Sequence, residues 1–150
     1  MLTNEEADLL QRAIEMAVTG HRSQRQKDGS PYVLHPLTLM HRVHGPEAKM
    51  TAVLHDVVED TEFTIEDIAA VGFSPAVVEA VRCLTHDDGS DYADYIDVIA
   101  KNPLATRVKL ADLEHNMTVT RIVDLKQKDL DRLAKYHRAH QTLTAAAANF

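Results

Sequence analysis

The 150-residue chain predicts an all-α fold, a single helical bundle spanning residues 1–150. Three observations carry that expectation. Ala, Leu and Val dominate, while aromatic residues make up only 5% and Trp is absent, a composition that favours helices over sheets. The five glycines are too few for a chain built of hairpins. Apolar residues recur at helical spacing between cap and breaker residues, and no two segments read as paired strands.

Thr3 opens a capping box with Glu6, and Leu9, Leu10, Ala13, Ile14, Ala17 and Val18 follow at helical spacing to a stop near Gly20. His21 to Pro31 is polar and ends in the turn-like Asp28-Gly29-Ser30-Pro31, so it reads as a loop. Pro36 suits the first turn of a second helix running to about His44, where Gly45-Pro46 breaks it. A third helix is expected from about Glu47 to Val58. Thr64 caps a short fourth that ends at Gly72. Ser74 and Pro75 form a cap and first-turn pair for a fifth, through about Leu84. After the loop Thr85 to Asp91, a helix reaching Ala100 places Tyr92, Tyr95, Ile96 and Ile99 on one side. Another opens near Pro103 and carries Ala105 to Met117. The last runs from about Leu130 into the Ala-rich tail.

The formal net charge of −7 argues against general binding to nucleic acid or to an anionic membrane. It leaves room for a small anionic ligand held by a local cluster of cations. The single cysteine, Cys83, lies in a helical apolar run and reads as core, and no intramolecular disulfide can form. Met16, Met40, Met50 and Met117 fall at apolar helical positions and read as core filler. No apolar run approaches the ~18 residues that cross a membrane. The acidic start of the chain lacks a signal pattern, so a cytoplasmic location is expected. The oligomeric state is left open.

The stretch Val53 to Asp60 mixes four hydrophobic residues with His55, Asp56, Glu59 and Asp60. Unpaired charges are costly to bury, so a compensating group is expected. On a continuous helix His55 neighbours Glu59 and Asp56 neighbours Asp60. His55 and Asp56 can then share one cation over the edge between them, with Glu59 and Asp60 one turn on, placed to reach a water the ion activates. Three acids at a helix C-terminus oppose the helix dipole, which favours the cation over the plainer reading of a solvated helix end. Asp112, set between apolar neighbours, and His35, in Tyr32-Val33-Leu34-His35-Pro36, offer further ligands. Plainer alternatives stand beside these: Asp112 as a buried acid paired with Lys109 or Arg107, Asn116 as a helix cap, and His35 as an ordinary helix-start histidine. Two histidines and two aspartates make a mixed N/O shell that suits Mn²⁺, Fe²⁺ or Zn²⁺ and leans toward Mn²⁺. Such an ion lowers the pKa of water and neutralises phosphoryl charge, and a neighbouring carboxylate takes the proton.

Three blocks carry a family likeness. They are His21-x-x-Gln24-x-x-Lys27-Asp28-Gly29-x-Pro31-Tyr32-x-x-His35-Pro36, then Leu54-His55-Asp56-x-x-Glu59-Asp60-Thr61, then Val108-Lys109-Leu110-Ala111-Asp112-x-x-x-Asn116-Met117. In this order and spacing the chain resembles the HD-domain alarmone hydrolases, the hydrolase domain of the Rel/SpoT proteins and its small stand-alone relatives. The resemblance implies an all-helical HD-type phosphohydrolase domain, one Mn²⁺ ion, and release of the 3′-pyrophosphate from ppGpp or pppGpp. By motif it implies His35, His55, Asp56 and Asp112 as metal ligands and Glu59 and Asp60 as the acid pair at the attacking water. Asn116, Lys27 and Lys109 are implied at the substrate, and Tyr32 reads as mainly structural. No alarmone synthesis is expected.

The chain departs from the family at substrate-facing positions. Gln26 stands where an arginine that packs on the guanine base is usual, and Leu113 and Thr118 replace basic residues. Arg22 or Arg25, in the same loop, is a candidate to take over base or phosphate contacts, or both are solvated loop charges. Lys135, Tyr136 and Arg138 approach the substrate from the last helix or form an ordinary amphipathic face. The choice of guanine or adenine alarmone, or of the 2′-phosphate of NADPH, therefore stays open. A metal-stabilised module that senses a nucleotide without cleaving it is the reading of another class, and retention of both acids argues against it.

Overall fold

A computed structural model describes residues 1–150. It contains α1 (Asn4–Gly20), α2 (Leu34–Arg42), α3 (Pro46–Leu54), α4 (Val57–Asp60), α5 (Ile65–Val71), α6 (Pro75–Leu84), α7 (Tyr92–Ala100), α8 (Pro103–Asn116) and α9 (Gln127–Ala147). A single 3-10 turn, Val119–Arg121, joins α8 to α9, and no strand is present beyond an isolated bridge between Arg25 and Pro31. The all-α expectation therefore holds.

The caps expected at Thr3, Thr64 and Ser74 form, and Asp91 and Asn102 add two that were not expected. The Thr3 hydroxyl accepts from the Glu6 N–H and the Glu6 carboxylate accepts from the Thr3 N–H. Thr64 and Asp67 repeat that box at α5, and Ser74, Asp91 and Asn102 cap α6, α7 and α8. The bounds of two helices shift. The second helix starts at Leu34, because the turn that bonds the Leu34 and His35 N–H groups to Pro31 and Tyr32 leads straight into it. It ends at Arg42, where Val43 turns extended and Gly45 takes φ 89° ahead of Pro46. The last helix starts at Gln127, three residues before the expected Leu130, because the Asp129 carboxylate accepts the Lys126 N–H at 3.0 Å.

The helix expected from Glu47 to Val58 is two helices. The chain breaks at His55-Asp56 between α3 and α4. The Ala52 carbonyl, which a continuing helix would offer to the Asp56 N–H, accepts the His55 Nδ1 proton at 2.7 Å. Leu54 and Val57, either side of the break, are fully buried. The break overturns the dipole argument, since Glu59 and Asp60 lie in the first turn of the short α4 rather than at the end of a long helix.

Helix α3 is the centre of the bundle and packs against α1, α2, α6 and α8. It is buried nearly all round, as a core helix must be to lack a polar face. One side, through Met50, Val53 and Leu54, joins a cluster with Ala13, Ala17, Ile68, Val77 and Val81. The other, through Ala48 and Ala52, joins Leu39, Ile99, Val108, Leu113 and Leu143. Met16, Met40 and Met117 fill the edges of these clusters, and Cys83 packs partly buried against the second. Because α3 lies between the two clusters, its end delivers His55 to the interior, where α2 and α8 bring His35 and Asp112.

Candidate active site

His55 is 2% exposed. Donation of its Nδ1 proton to the Ala52 carbonyl leaves the lone pair of the neutral ring on Nε2. That nitrogen is buried without a hydrogen-bond partner. Around it lie Asp56 Oδ2 at 2.9 Å, outside hydrogen-bond geometry, and Asp112 Oδ1 at 3.6 Å. His35 Nε2 sits 2.9 Å from the same Asp112 oxygen. One donor atom each from His35, His55 and Asp56 lies within 4.8 Å of the others, as does one each from Asp56, Glu59 and Asp60. The four residues named as ligands thus converge on one buried point, with the two acids beside it.

A set of contacts aims these donors. Asp112 Oδ2 accepts the Lys109 ammonium at 2.8 Å, and Oδ1 accepts the Asn116 amide at 2.9 Å. The Tyr32 hydroxyl donates to Asp56 Oδ2. His35 Nδ1 meets His115 Nδ1 at 2.7 Å, one ring donating and the other accepting. Outer partners of this kind set ring orientation and donor basicity in metal sites.

Electrostatically the point asks for a cation. Burial opposes charge on Asp112, yet the Lys109 ammonium and the two histidines hold its carboxyl well below the usual range. Burial likewise opposes charge on Asp56, and the His55 ring, in its charged form, brings its carboxyl down to about 2. Burial disfavours the imidazolium of His55, but Asp56 and Asp112 outweigh it and raise that pKa well above the ordinary value. A divalent ion at Nε2 supplies the same positive charge and displaces the proton. The orphaned nitrogen, the mixed imidazole and carboxylate donors and the two facing carboxylates all fit such an ion.

Solvent reaches Glu59 and Asp60. The surrounding protein nevertheless raises both carboxyls by desolvation, and the charge of Asp56 pushes in the same direction. Glu59 Oε1 also accepts the His86 N–H at 2.5 Å, which ties it to the loop before α7.

A cleft of about 220 Å³ opens beside His35. The loop before α2 lines it with Arg25, Gln26, Lys27 and Tyr32, the end of α8 and the 3-10 turn with Asn116 and Arg121, and α9 with Asp129, Arg132 and Tyr136. Of the residues expected at the substrate, Gln26, Lys27, Arg25 and Asn116 line this cleft. Lys27 is paired with Asp129 at 3.0 Å. Lys109 does not line it, being buried against Asp112 and lying 5.3 Å from the centre of the Tyr95 ring. Arg22 faces a separate hollow beside Asp60. Lys135 and Arg138 line a groove against α7, whereas Tyr136 reaches the cleft.

Five residues at the site had no functional expectation or a merely structural one. Tyr32 bonds Asp56, His115 bonds His35, and Arg121, Asp129 and Arg132 line the cleft. His115 lies three residues after Asp112 on one helix, which was the available signal. Burial, with Arg121 and His35 nearby, lowers its pKa to about 4 and keeps the ring neutral. The 3-10 turn carrying Arg121 has no periodicity to read.

No family model matches the chain. It is 35% identical over 142 residues to a "Probable guanosine-3′,5′-bis(diphosphate) 3′-pyrophosphohydrolase" of Synechocystis sp., across 85% of this chain and 19% of that protein. It is 32% identical over 133 residues to a "GTP pyrophosphokinase" of Streptomyces coelicolor, across 80% of this chain and 16% of that protein. The chain thus spans less than a fifth of these curated relatives. Among solved structures it is similar to one described as "A metazoan ortholog of SpoT hydrolyzes ppGpp and plays a role in starvation responses", with a TM-score of 0.75 and 26% identity. That match covers 90% of this chain and 85% of the other.

Proposed function

The chain belongs to the HD-domain (p)ppGpp hydrolase family, and on that premise we propose that it is a divalent-metal-dependent phosphohydrolase. Its substrates in this reading are ppGpp and pppGpp, which lose the 3′-pyrophosphate and leave GDP or GTP. The observation that carries the reading is the unpartnered Nε2 of His55, buried among His35, Asp56 and Asp112. A cation-shaped vertex of that kind beside a cleft bearing Arg25, Lys27, Arg121 and Arg132 suits a phosphate-rich nucleotide. A cytoplasmic location accords with such a substrate, and no helix is long and apolar enough to cross a membrane.

His35, His55, Asp56 and Asp112 would hold one ion, with Mn²⁺ proposed. When bound it supplies Lewis acidity toward a phosphoryl oxygen and a lowered pKa for water. Lys109, Asn116, Tyr32 and His115 hold the donors in place. Hydrolysis joins a water oxygen to phosphorus and breaks the bond from phosphorus to the 3′ oxygen. One proton leaves the water and one reaches the 3′ oxygen. Glu59 and Asp60 are the bases for the first transfer, and their raised pKa values bring them closer to the working pH that general-base catalysis favours. Arg25, Lys27 and Arg132 bind the substrate's phosphates in spite of the net charge of −7.

The test is Asp56→Ala. The variant is expected to stay folded by circular dichroism and to lose Mn²⁺-dependent turnover of ppGpp. Full activity in the variant would remove Asp56, and with it the proposed centre, from the reaction.

A further inference from the structure

We infer that Arg121 is the surface on which the nucleotide's base stacks, an assignment that rests on the nucleotide-hydrolase reading above. Gln26 offers the base only a small, uncharged amide. Its Oε1 accepts from Arg121 Nη2 and its Nε2 donates to Ser30 Oγ at 2.9 Å, so both ends of its amide are in use. Ser30 Oγ donates onward to Asp28 Oδ1 at 2.6 Å, which anchors the chain of bonds in the loop.

The same bonds decide what Arg121 can do. Its Nη1 donates to the His115 carbonyl at 2.8 Å and its Nη2 to Gln26. Both contacts lie in the guanidinium plane, so they fix the orientation of that plane and occupy donors that would otherwise grip a phosphate. The side chain nevertheless lines the cleft. Nε and each terminal nitrogen keep one further N–H, so it has these three donors and its flat, positively charged face to present there. Planar cations stack well on aromatic rings. The cleft's only aliphatic lining residues are Ile122, next in sequence, and Leu133, which suit the walls of a base slot. Lys27 and Arg132 both approach Asp129, at 3.0 and 3.9 Å, and so belong to a different, charged part of the cleft. Arg121 is therefore the base-contacting residue, and Gln26 is a positioning residue that acts through it.

The experiment separates the flat face from the charge. Michaelis constants for ppGpp and inhibition by inorganic pyrophosphate, which has no base, are measured for the parent and for Arg121→Ala, Arg121→Lys and Arg121→Phe. Thermal melting of each protein checks the fold. Stacking predicts a KM about 5- to 100-fold higher for Arg121→Ala, the range that loss of one base stack produces. It predicts a similar rise for Arg121→Lys, substantial recovery for Arg121→Phe, and pyrophosphate inhibition within about twofold of the parent throughout. Gln26→Ala, which only frees the guanidinium, should raise KM less than Arg121→Ala does. If Arg121→Lys keeps parent KM while Arg121→Phe does not, or if pyrophosphate inhibition weakens with KM, Arg121 binds phosphate and the assignment is overturned. An unchanged KM in Arg121→Ala overturns it as well. In both cases the parent still hydrolyses ppGpp and the proposed function stands. A folded, Mn²⁺-loaded parent that neither turns over nor binds ppGpp defeats the functional reading, and the base-stacking assignment falls with it.

Discussion

Replacing Asp112 with alanine should cost the metal-free protein far more stability than an ordinary surface change. The Asp112 side chain is 6% exposed and that of its partner Lys109 12%, and their 2.8 Å pair is the principal compensation for the lysine's charge. Removing one member of a buried pair leaves the other charge stranded, at about 3–5 kcal/mol. Relief of repulsion between Asp112 and Asp56 offsets part of this, so the lower end of that range is expected. For a chain of this size 1 kcal/mol moves the melting temperature by about 2–4 °C, which gives a fall of roughly 6–12 °C for about 3 kcal/mol. The assay is urea unfolding followed by circular dichroism in EDTA, on the parent, Asp112→Ala, and Asp112→Ala with Lys109→Met. The second substitution removes the stranded charge and should recover most of the loss. Added Mn²⁺ should stabilise the parent, by about 2.7 kcal/mol at a hundred times its dissociation constant, and stabilise neither variant. A single variant within about 1 kcal/mol of the parent, or a double variant no better than the single, would refute the stranded-charge reasoning.

Four further outcomes are expected. Tyr32→Phe removes the hydroxyl that donates to Asp56 and should raise the Mn²⁺ concentration for half-maximal activity by about 10- to 100-fold, as loss of an outer partner does; an unchanged metal titration would return Tyr32 to a packing role. Gln26→Arg sets a second guanidinium against Arg121 and should raise the KM for ppGpp, and a lower KM would contradict the network around Gln26. In Asp129 the Lys126 N–H and then the Lys27 ammonium hold the carboxyl below its usual value, so its stabilising contribution is full above the unfolded carboxyl's pKa near 4 and is lost as the pH falls through the lower folded value. Asp129→Asn should accordingly show a shallower acid limb than the parent in unfolding curves taken below about pH 5, and identical limbs would remove Asp129 from the account. Leu54→Ala, at a fully buried position beside the helix break, should destabilise by about 2–5 kcal/mol in equilibrium unfolding, whereas a cost below about 1 kcal/mol would contradict the packing around α3.

Much of this molecule is legible along the chain because its helix signals are local. Thr3 with Glu6, Ser74 with Pro75 and Gly45 with Pro46 each set a helix boundary from residues only a few positions apart. The break at His55-Asp56 is different. It depends on a side chain reaching back to the Ala52 carbonyl and on Leu54 and Val57 both burying, and apolar spacing through Val53, Leu54, Val57 and Val58 is as compatible with a continuous helix. The start of α9 moved for a similar reason, since Lys126 has no cap signal of its own until Asp129 accepts its N–H.

At the site, His35, His55, Asp56 and Asp112 stand out in sequence as polar residues in apolar or constrained surroundings, and the fold brings them to one point. The cleft is less readable. Gln26 and Arg121 are 95 residues apart, and Lys27 and Asp129 are 102 apart, so neither pair leaves a local pattern. Lys109 shows the converse problem. Its position in the third block suggests a substrate contact, but its spacing of three from Asp112 also forms the buried pair that the fold selects.

His35, His55, Asp56 and Asp112 are proposed to hold a metal that supports cleavage of a pyrophosphorylated nucleotide. The direct measurement is incubation of the metal-stripped protein with ppGpp, with and without Mn²⁺, and separation of the products by anion-exchange chromatography. GDP and pyrophosphate are expected in equal amounts, formed only when the metal is added. Intact ppGpp in both samples, from protein that binds Mn²⁺ and remains folded, would contradict that proposal.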